Sequence, residues 1–323
     1  MTTTVNLTLA GLGTVGGALV DLLDRHGPAI ARRIGVRYTL RRVLVRDIQR
    51  PRSGSVCRSL LTDDVGEFLS TPSDVVVEAI GGTVEAAGIA RTTLARGRRL
   101  VTANKALLRI DGPALAALAR AHRDEGASLD FEAAVGGGVP IVRLLRESLG
   151  GHGLQRIRGV LNGTTNFILS RVERGLRFAD AVAAAQRAGF AEADPSRDLA
   201  GADAADKIAV LAWLGFGVDP ATLLVRTSGI CEALAADAVR AAKRGRALRL
   251  VATATLVGEG VYASVAPRIV PAGHPFAQAR DEHNLIQLES ESAGTLTIAG
   301  RGAGGSATAS ALLADLLRHE ETN

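Results

Sequence analysis

A doubly wound α/β half followed by an α+β half is predicted for this chain by three observations. Strand-like apolar runs alternate with helical periodicity through the first part of the sequence, a glycine-rich turn joins the first strand to the first helix, and the alternation ends beyond a second cluster of glycines near residue 138.

Taken in order, Val5–Ala10 is a short apolar strand that runs into Gly11-Leu12-Gly13-Thr14-Val15-Gly16, and Val15–Leu23 then carries helical spacing. Leu40–Val45 reads as a second strand ending at Arg46-Asp47, and Arg50–Ser55 as a loop because it holds a proline and a glycine. Val75–Ile80 is a continuous run closed by Gly81-Gly82, the pattern of a buried parallel strand. Arg91–Arg96 is helical, Leu100–Thr102 is a strand stopping at Ala103-Asn104-Lys105, Pro113–Arg123 is a helix with proline at its start, and Ser128–Glu132 is a further strand. Past Ala134–Pro140 the texture changes. Helices at Ile141–Leu149, Phe167–Glu173, Ala179–Ala188 and Ala202–Leu214 mix with strands at Arg156–Leu161, Ala247–Leu256, Val261–Arg268 and Thr295–Ala299, and an amphipathic helix at Thr308–Leu317 ends the chain.

Composition excludes several classes. With 323 residues, 47% of them hydrophobic, the chain can build a large core and two domains. The net charge of +5 is spread along the sequence, and aromatics make up only 3%, so neither a basic patch nor a stacking surface for nucleic acid is indicated. Cys57 and Cys231 stand far apart without histidines at ligand spacing, which argues against disulfide frameworks and zinc sites. No apolar stretch reaches the length of a membrane span, and Met1-Thr2-Thr3-Thr4-Val5 lacks a basic leader, so a cytoplasmic protein is expected. Only Lys105, Lys207 and Lys243 among the 38 basic side chains are lysines. Arginine supplies charge as well as lysine does but cannot release its proton, so a retained lysine fits a proton-transfer role.

Gly11, Gly13 and Gly16 form G-x-G-x-x-G between a strand and a helix, a Rossmann-type phosphate turn in which the backbone N–H groups of Thr14 and Val15 face the ligand. The alternative is an ordinary tight turn. At the end of the second strand, where an acid would hold a ribose 2′-hydroxyl, stands Arg46, followed by Asp47, Arg50 and Arg52. A 2′-phosphate suits arginine there, so NADP is expected, with NAD as the alternative. Gly81-Gly82, Asn104-Lys105 and Glu132 fall at the ends of later strands, the edge where open α/β sheets bind ligands. The densest cluster is Glu192 to Lys207, in which Asp203 and Lys207 share a helix face at i, i+4 while Glu192 and Asp198 lie on the segment that feeds the helix. Read without function, it is an acidic helix cap with a local ion pair.

The sequence resembles the homoserine dehydrogenase family in separate blocks: Gly11–Gly16, Val75–Gly82, Val101–Leu107, Phe131–Pro140, Gly159–Leu169 (GVLNGTTNFIL), Glu192–Lys207 and Gly302–Asp315. The resemblance implies Lys207 as proton donor, Asp203 as its partner, Glu192 and Asp198 as contacts to the substrate's amino group, and Lys105 near the reacting groups and cofactor. It places Gly163 and Gly302 along the cofactor pocket. It also implies a monovalent cation, usually sodium, held by Glu132 and the carbonyls of Val135, Gly137 and Val139, an all-oxygen set that suits a hard ion. Ser306 and Thr227-Ser228-Gly229 depart from the family pattern at positions without a chemical role.

The expected division is a dinucleotide-binding domain over 1–138, a substrate and dimerisation domain over 139–300, and a segment 301–323 that packs back on the first. The expected activity converts L-homoserine and L-aspartate 4-semialdehyde by hydride transfer to or from a nicotinamide dinucleotide, in a homodimer that binds neither nucleic acid nor membrane. Rival readings are a dehydrogenase for another small amino-acid aldehyde or oxo acid, and a dinucleotide sensor without catalysis. The given sequence ends after the Gly302 block, whereas many family members continue into a regulatory module, so threonine is expected not to inhibit.

Overall fold

Thr3–Ala10 forms the first strand (β1), in which Leu7 and Leu9 are fully buried. In a computed structural model, which describes residues 2–50, 56–149 and 153–318, this strand lies inside a six-stranded sheet. Its companions are Val36–Leu44 (β2), Leu61–Thr62 (β3), Val75–Glu78 (β4), Arg99–Thr102 (β5) and Ser128–Asp130 (β6). The order is β3-β2-β1-β4-β5-β6 and every pairing is parallel. Strand order reverses between β1 and β4, which opens a crevice at their carboxyl ends. Helices Thr14–Ile34 (α1), Val65–Ser70 (α2), Val84–Ala95 (α3) and Lys105–Ala121 (α4) alternate with these strands.

Several elements differ from their sequence reading. The helix expected from Pro113 starts already at Lys105, because the Asn104 side chain accepts the Leu107 N–H at 3.0 Å and caps it; Pro113 lies inside. A good cap outweighed the usual reading of proline as a start. The strand expected to reach Glu132 stops at Asp130, and Glu132–Ala134 forms a 3-10 turn. The two-residue β3 and the six-residue α2 were below the length at which periodicity speaks; α2 is started by Asp64, whose carboxylate accepts the N–H groups of Gly66 and Glu67. Residues 51–55 of the expected loop, Arg52 among them, lie outside the described residues.

The chain divides into two compact units, Met1–Ala134 with Gly305–Asn323, and Val135–Gly304. The second unit begins with Ile141–Arg143 (α5), continued by a π-helical turn at Leu144–Ser148. It goes on through Leu154–Val160 (β7), Gly163–Val172 (α6), Phe178–Arg187 (α7), Ser196–Leu199 (α8), Ala202–Phe216 (α9), Val225–Thr227 (β8) and Ala235–Lys243 (α10). Arg246–Val257 (β9), Gly260–Pro271 (β10), Pro275–Gln278 (α11), His283–Ser290 (β11) and Gly294–Arg301 (β12) complete it. The second sheet runs β12-β11-β7-β9-β10-β8, antiparallel except for the β10–β8 pair. Helix α9 packs on β7, β9 and β10, and α6 and α10 pack on β9. Strands β8 and β11 and helix α10 were not read from the sequence.

In the first unit the last helix, Gly305–Arg318 (α12), packs against α1, and its Ala309 and Leu312 share a core with Leu7, Leu9 and Leu19. Its terminal carbonyl at Leu316 accepts hydrogen bonds from Tyr38 and Arg99, and Arg318 pairs with Asp130 at 2.7 Å. Orphan carbonyls at a helix end are thereby satisfied. Among the described residues no helix is long and apolar enough to cross a membrane.

One buried ion pair ties α6 to the second sheet. Arg249 of β9, with 0% of its side chain exposed, donates to Glu173 at 2.7 Å and to the carbonyls of Ala279, Leu248 and Ala277. Burial pushes its guanidinium down from the usual range while Glu173 holds it up. Removing one partner of such a pair leaves a buried charge uncompensated, whereas removing both does not. Glu173→Ala is therefore expected to lower unfolding free energy by about 3–5 kcal/mol in urea titrations, and Glu173→Leu with Arg249→Met to recover most of it. A loss below about 1 kcal/mol for the single variant would rule out this role for the pair.

Candidate active site

In the first unit, β1 delivers the chain into the Gly11–Gly16 turn. Gly11 has φ +100°, and a Cβ there would lie 2.5 Å from the Ala79 carbonyl oxygen, while a Cβ at Gly16 would collide with the Gly11 carbonyl. A Cβ at Gly13, by contrast, would meet nothing within 4 Å, so that side of the turn is open. Gly13 is the N-cap of α1 and offers no side chain, which leaves the amides of the first turn, at Thr14 and Val15, for an anion. The turn forms one wall of a cleft of about 830 Å³ that also includes Arg46, Asp47 and Arg50. Arg46 is exposed at the end of β2. The Asp47 carboxylate accepts the N–H groups of Gln49 and Arg50, so it caps its own turn. The cleft and its open glycine turn fit a dinucleotide.

At the ends of β4 and β5 the sequence reading missed Glu78, which it counted within an apolar run. This fully buried carboxylate accepts from Thr102 at 2.5 Å, from the Ile80 N–H at 3.0 Å and from Asn104 at 3.4 Å. Asn104 also donates to the Gly82 carbonyl at 2.7 Å. Glu78 thus joins the Gly81-Gly82 turn to the cap of α4, whose first residue is Lys105. Burial pushes the Glu78 carboxyl up, and the surrounding donors pull it back. Glu132, in the first unit, is buried, and its N–H donates to Asp315 at 2.8 Å. Val135, Gly137 and Val139 are in the second unit, where the Val139 carbonyl accepts the Ile141 N–H.

In the second unit the Glu192–Lys207 cluster is organised by a residue outside it. Asn162, the N-cap of α6, accepts the Thr165 N–H at 2.8 Å through its side-chain oxygen. Its amide nitrogen donates to Asp198 at 2.7 Å and to Asp203 at 2.8 Å. Asp203 in turn pairs with Lys207 at 2.7 Å, one turn on along α9, and Lys207 also donates to the Leu161 carbonyl at 2.9 Å. The Lys207 side chain is only 12% exposed, so this is no solvated surface pair. An ammonium has three N–H donors, and these two bonds leave one for an incoming oxygen. Asp198, Asp203 and Lys207 are thus brought together, while Glu192 is exposed on the loop before α8, outside this network. Gly163 packs in the same unit against Ala303 and the Glu282 backbone. An asparagine directly before Gly-Thr-Thr is an N-cap signal that could have identified Asn162.

Burial, and next the Asp203 charge, raise the Asp198 carboxyl above its ordinary value. An acid raised on folding contributes stability that is present below its unfolded value and is lost as pH rises through the folded one. Asp198→Asn removes that loss and keeps an acceptor oxygen for Asn162. This variant is expected to melt higher than the parent at pH 7–8, with the gap closing at acid pH and with lower activity; equal melting temperatures at every pH would contradict the electrostatic account.

The arrangement has known counterparts. Residues 140–317 match the family model described as homoserine dehydrogenase, and residues 11–132 match its NAD-binding domain. The homoserine dehydrogenase of Corynebacterium glutamicum is 40% identical over 320 residues, 97% of this chain and 71% of that protein; the Bacillus subtilis one is 34% identical over 315 residues, 97% and 72%. The crystal structure of a homoserine dehydrogenase from Thiobacillus denitrificans superposes with a TM-score of 0.88 at 34% identity, over 98% of this chain and 73% of that one. A hyperthermophilic archaeal homoserine dehydrogenase in complex with NADPH does so at 0.77 and 25%, over 99% of each chain. With an NAD-binding domain ahead of the lysine and carboxylate cluster, and with relatives that agree across both units, the chain belongs to the homoserine dehydrogenase family of oxidoreductases.

Proposed function

We propose that the chain interconverts L-homoserine and L-aspartate 4-semialdehyde with NADP(H), and that Lys207 is its general acid and base. The observation that carries this reading is a nearly buried ammonium fixed by Asp203 and the Leu161 carbonyl with one N–H to spare. When bound, the nicotinamide supplies or accepts the hydride. Lys207 Nζ gives its proton to the oxygen that becomes the alkoxide as the aldehyde is reduced, and takes it back when homoserine is oxidised. Asp198 and Glu192 offer negative charge to the substrate's ammonium group, and Asn162 keeps Asp198 aimed. Lys105, at the head of α4, is assigned to the reacting groups and the cofactor. The first-turn amides of α1 hold the pyrophosphate, with Gly163 and Gly302 along the cofactor pocket.

Arg46 beside the self-capped Asp47 supports NADP over NAD, as does the NADPH complex of the archaeal relative. The oxygen set of Glu132, Val135, Gly137 and Val139 is assigned to a monovalent cation, most simply sodium. We assign the chain to a homodimer through the second unit, and to the cytoplasm, where two exposed free cysteines would stay reduced. A dehydrogenase for another amino-acid aldehyde, or a sensor that binds the dinucleotide without turnover, would fail a simple test: NADPH absorbance should change with homoserine or aspartate semialdehyde and not with their homologues.

Two variants test the roles. Lys207→Arg keeps the charge but cannot exchange a proton near neutral pH, so kcat should fall roughly 10²–10⁴-fold in both directions with folding intact. Lys243→Arg, on α10, should be silent, and near-normal turnover in Lys207→Arg would remove the proposed mechanism. Arg46→Ala should raise the NADPH KM about ten- to a hundredfold and leave NADH almost untouched. A parent enzyme that prefers NADH would overturn the role given to Arg46.

A further inference from the structure

The Leu161 carbonyl that receives Lys207 has a second neighbour. Asn284 on β11, fully buried, turns its amide nitrogen toward that oxygen at 3.4 Å and toward the Gly302 carbonyl at 3.5 Å. Both neighbours are acceptors only, so the side chain must present its NH2 group to them, which fixes its orientation. Its own oxygen is left without a protein partner. Burying an acceptor unmatched is costly, and a fold that keeps one gains something from the other end of the same group. The surroundings are shaped to admit it. A Cβ at Gly302 would collide with the Asn284 amide, and the chain at Gly302 is pinned by its N–H to the Glu282 carbonyl at 3.0 Å. On the opposite side Gly137 closes over the Gly302 carbonyl, where a Cβ would lie 2.7 Å from the oxygen. Three separated stretches of sequence thus converge so that one primary amide can lie against the Leu161 peptide.

We propose that Asn284 is a positioning residue for proton transfer, holding the Leu161 carbonyl that receives the Lys207 ammonium, and that Gly302 lacks a side chain to make room for it. The inference rests on the reading of Lys207 as acid and base. In this assignment Asn284 acts through one peptide group. That peptide directly precedes Asn162, so its orientation also bears on the amide that gathers Asp198 and Asp203. Among the described residues of the second unit, Asp203 on its own helix and, from α8, Asp198 are the charged groups that face Lys207, and neither is altered by changes at Asn284. A carbonyl shared by two donors binds each less tightly than it would bind one. With Asn284 gone, the ammonium keeps the oxygen to itself and gives up its proton less readily.

The test uses the full chain with Asn284→Leu, which is close in shape, Asn284→Ser, Gly302→Ala, and the double variant Asn284→Ser/Gly302→Ala, in which the smaller side chain makes room for the new methyl group. For Asn284→Leu, kcat for homoserine oxidation should fall about tenfold with NADP KM within about twofold. The acid limb of its kcat profile should move to higher pH by roughly half a unit to one unit. Gly302→Ala should lose kcat to a similar degree, and Asn284→Ser should suppress the further loss, so that the two effects are strongly non-additive. Circular dichroism and melting curves report folding, and should Asn284→Leu not fold, the non-additivity between Gly302→Ala and Asn284→Ser decides alone. A pH profile that coincides with the parent's overturns the proposal. So does a Gly302→Ala variant whose kcat loss is the same beside Asn284 and beside Asn284→Ser, since the glycine would then not be making room for the amide. Lys207→Arg measured in parallel separates the two levels: near-normal turnover there overturns the Lys207 reading itself, whereas a large loss there with an unmoved Asn284→Leu profile overturns only the role of Asn284.

Discussion

One primary amide, that of Asn162, decides how charge is arranged in the second unit. Its oxygen is committed to the first turn of α6, and its two N–H groups to Asp198 and Asp203. Two carboxylates so close would repel each other, and the shared donor, with Lys207 on the same Asp203 oxygen, makes the cluster tolerable. The amide has little freedom to drift, because the other end of α6 is tied through Glu173 to the buried Arg249. A pair deep in the sheet thereby fixes a cap at the site, and the cap fixes the lysine's partner.

The first unit solves a different problem by different means. The anion site proposed for it is built from backbone amides at the head of α1, where charge comes from the peptide groups themselves. A few residues along the sheet edge, the buried Glu78 gathers Thr102, Asn104 and the turn after β4, and so sets where α4 begins and where Lys105 stands. Each unit positions a lysine by organising its neighbours. Lys207 is held by direct bonds, and the position of Lys105 is set by the start of its helix.

These arrangements put polar groups where water cannot serve them. Asp198 is raised by burial and by its neighbour, and the side-chain oxygen of Asn284 is buried without a protein donor. Such costs are usual where function rather than stability selects a residue, and they set a direction for substitutions: relieving Asp198 should stabilise the fold as it weakens the substrate contact proposed for it.

How much of this was legible beforehand depended on the range of the interaction. Local patterns sufficed for the parallel sheet with its glycine turn, because alternation of strand and helix and the spacing of Gly11, Gly13 and Gly16 are set by neighbours in sequence. The i, i+4 relation of Asp203 and Lys207 was likewise plain from the helix period alone. Periodicity was silent on β3, β8 and β11, which are short or lie in mixed surroundings, and it placed the start of α4 at Pro113 although Asn104 caps it earlier. Glu78 was hidden inside an apolar run, since a buried carboxylate differs from its neighbours only in what it touches. The bonds from Asn162 to Asp198 and Asp203, and the approach of Asn284 to Leu161 under Gly302, join residues far apart along the chain. Only the packed tertiary structure decided those, because a hydrogen bond needs its partners within about 3 Å and nothing in local sequence brings distant residues that close.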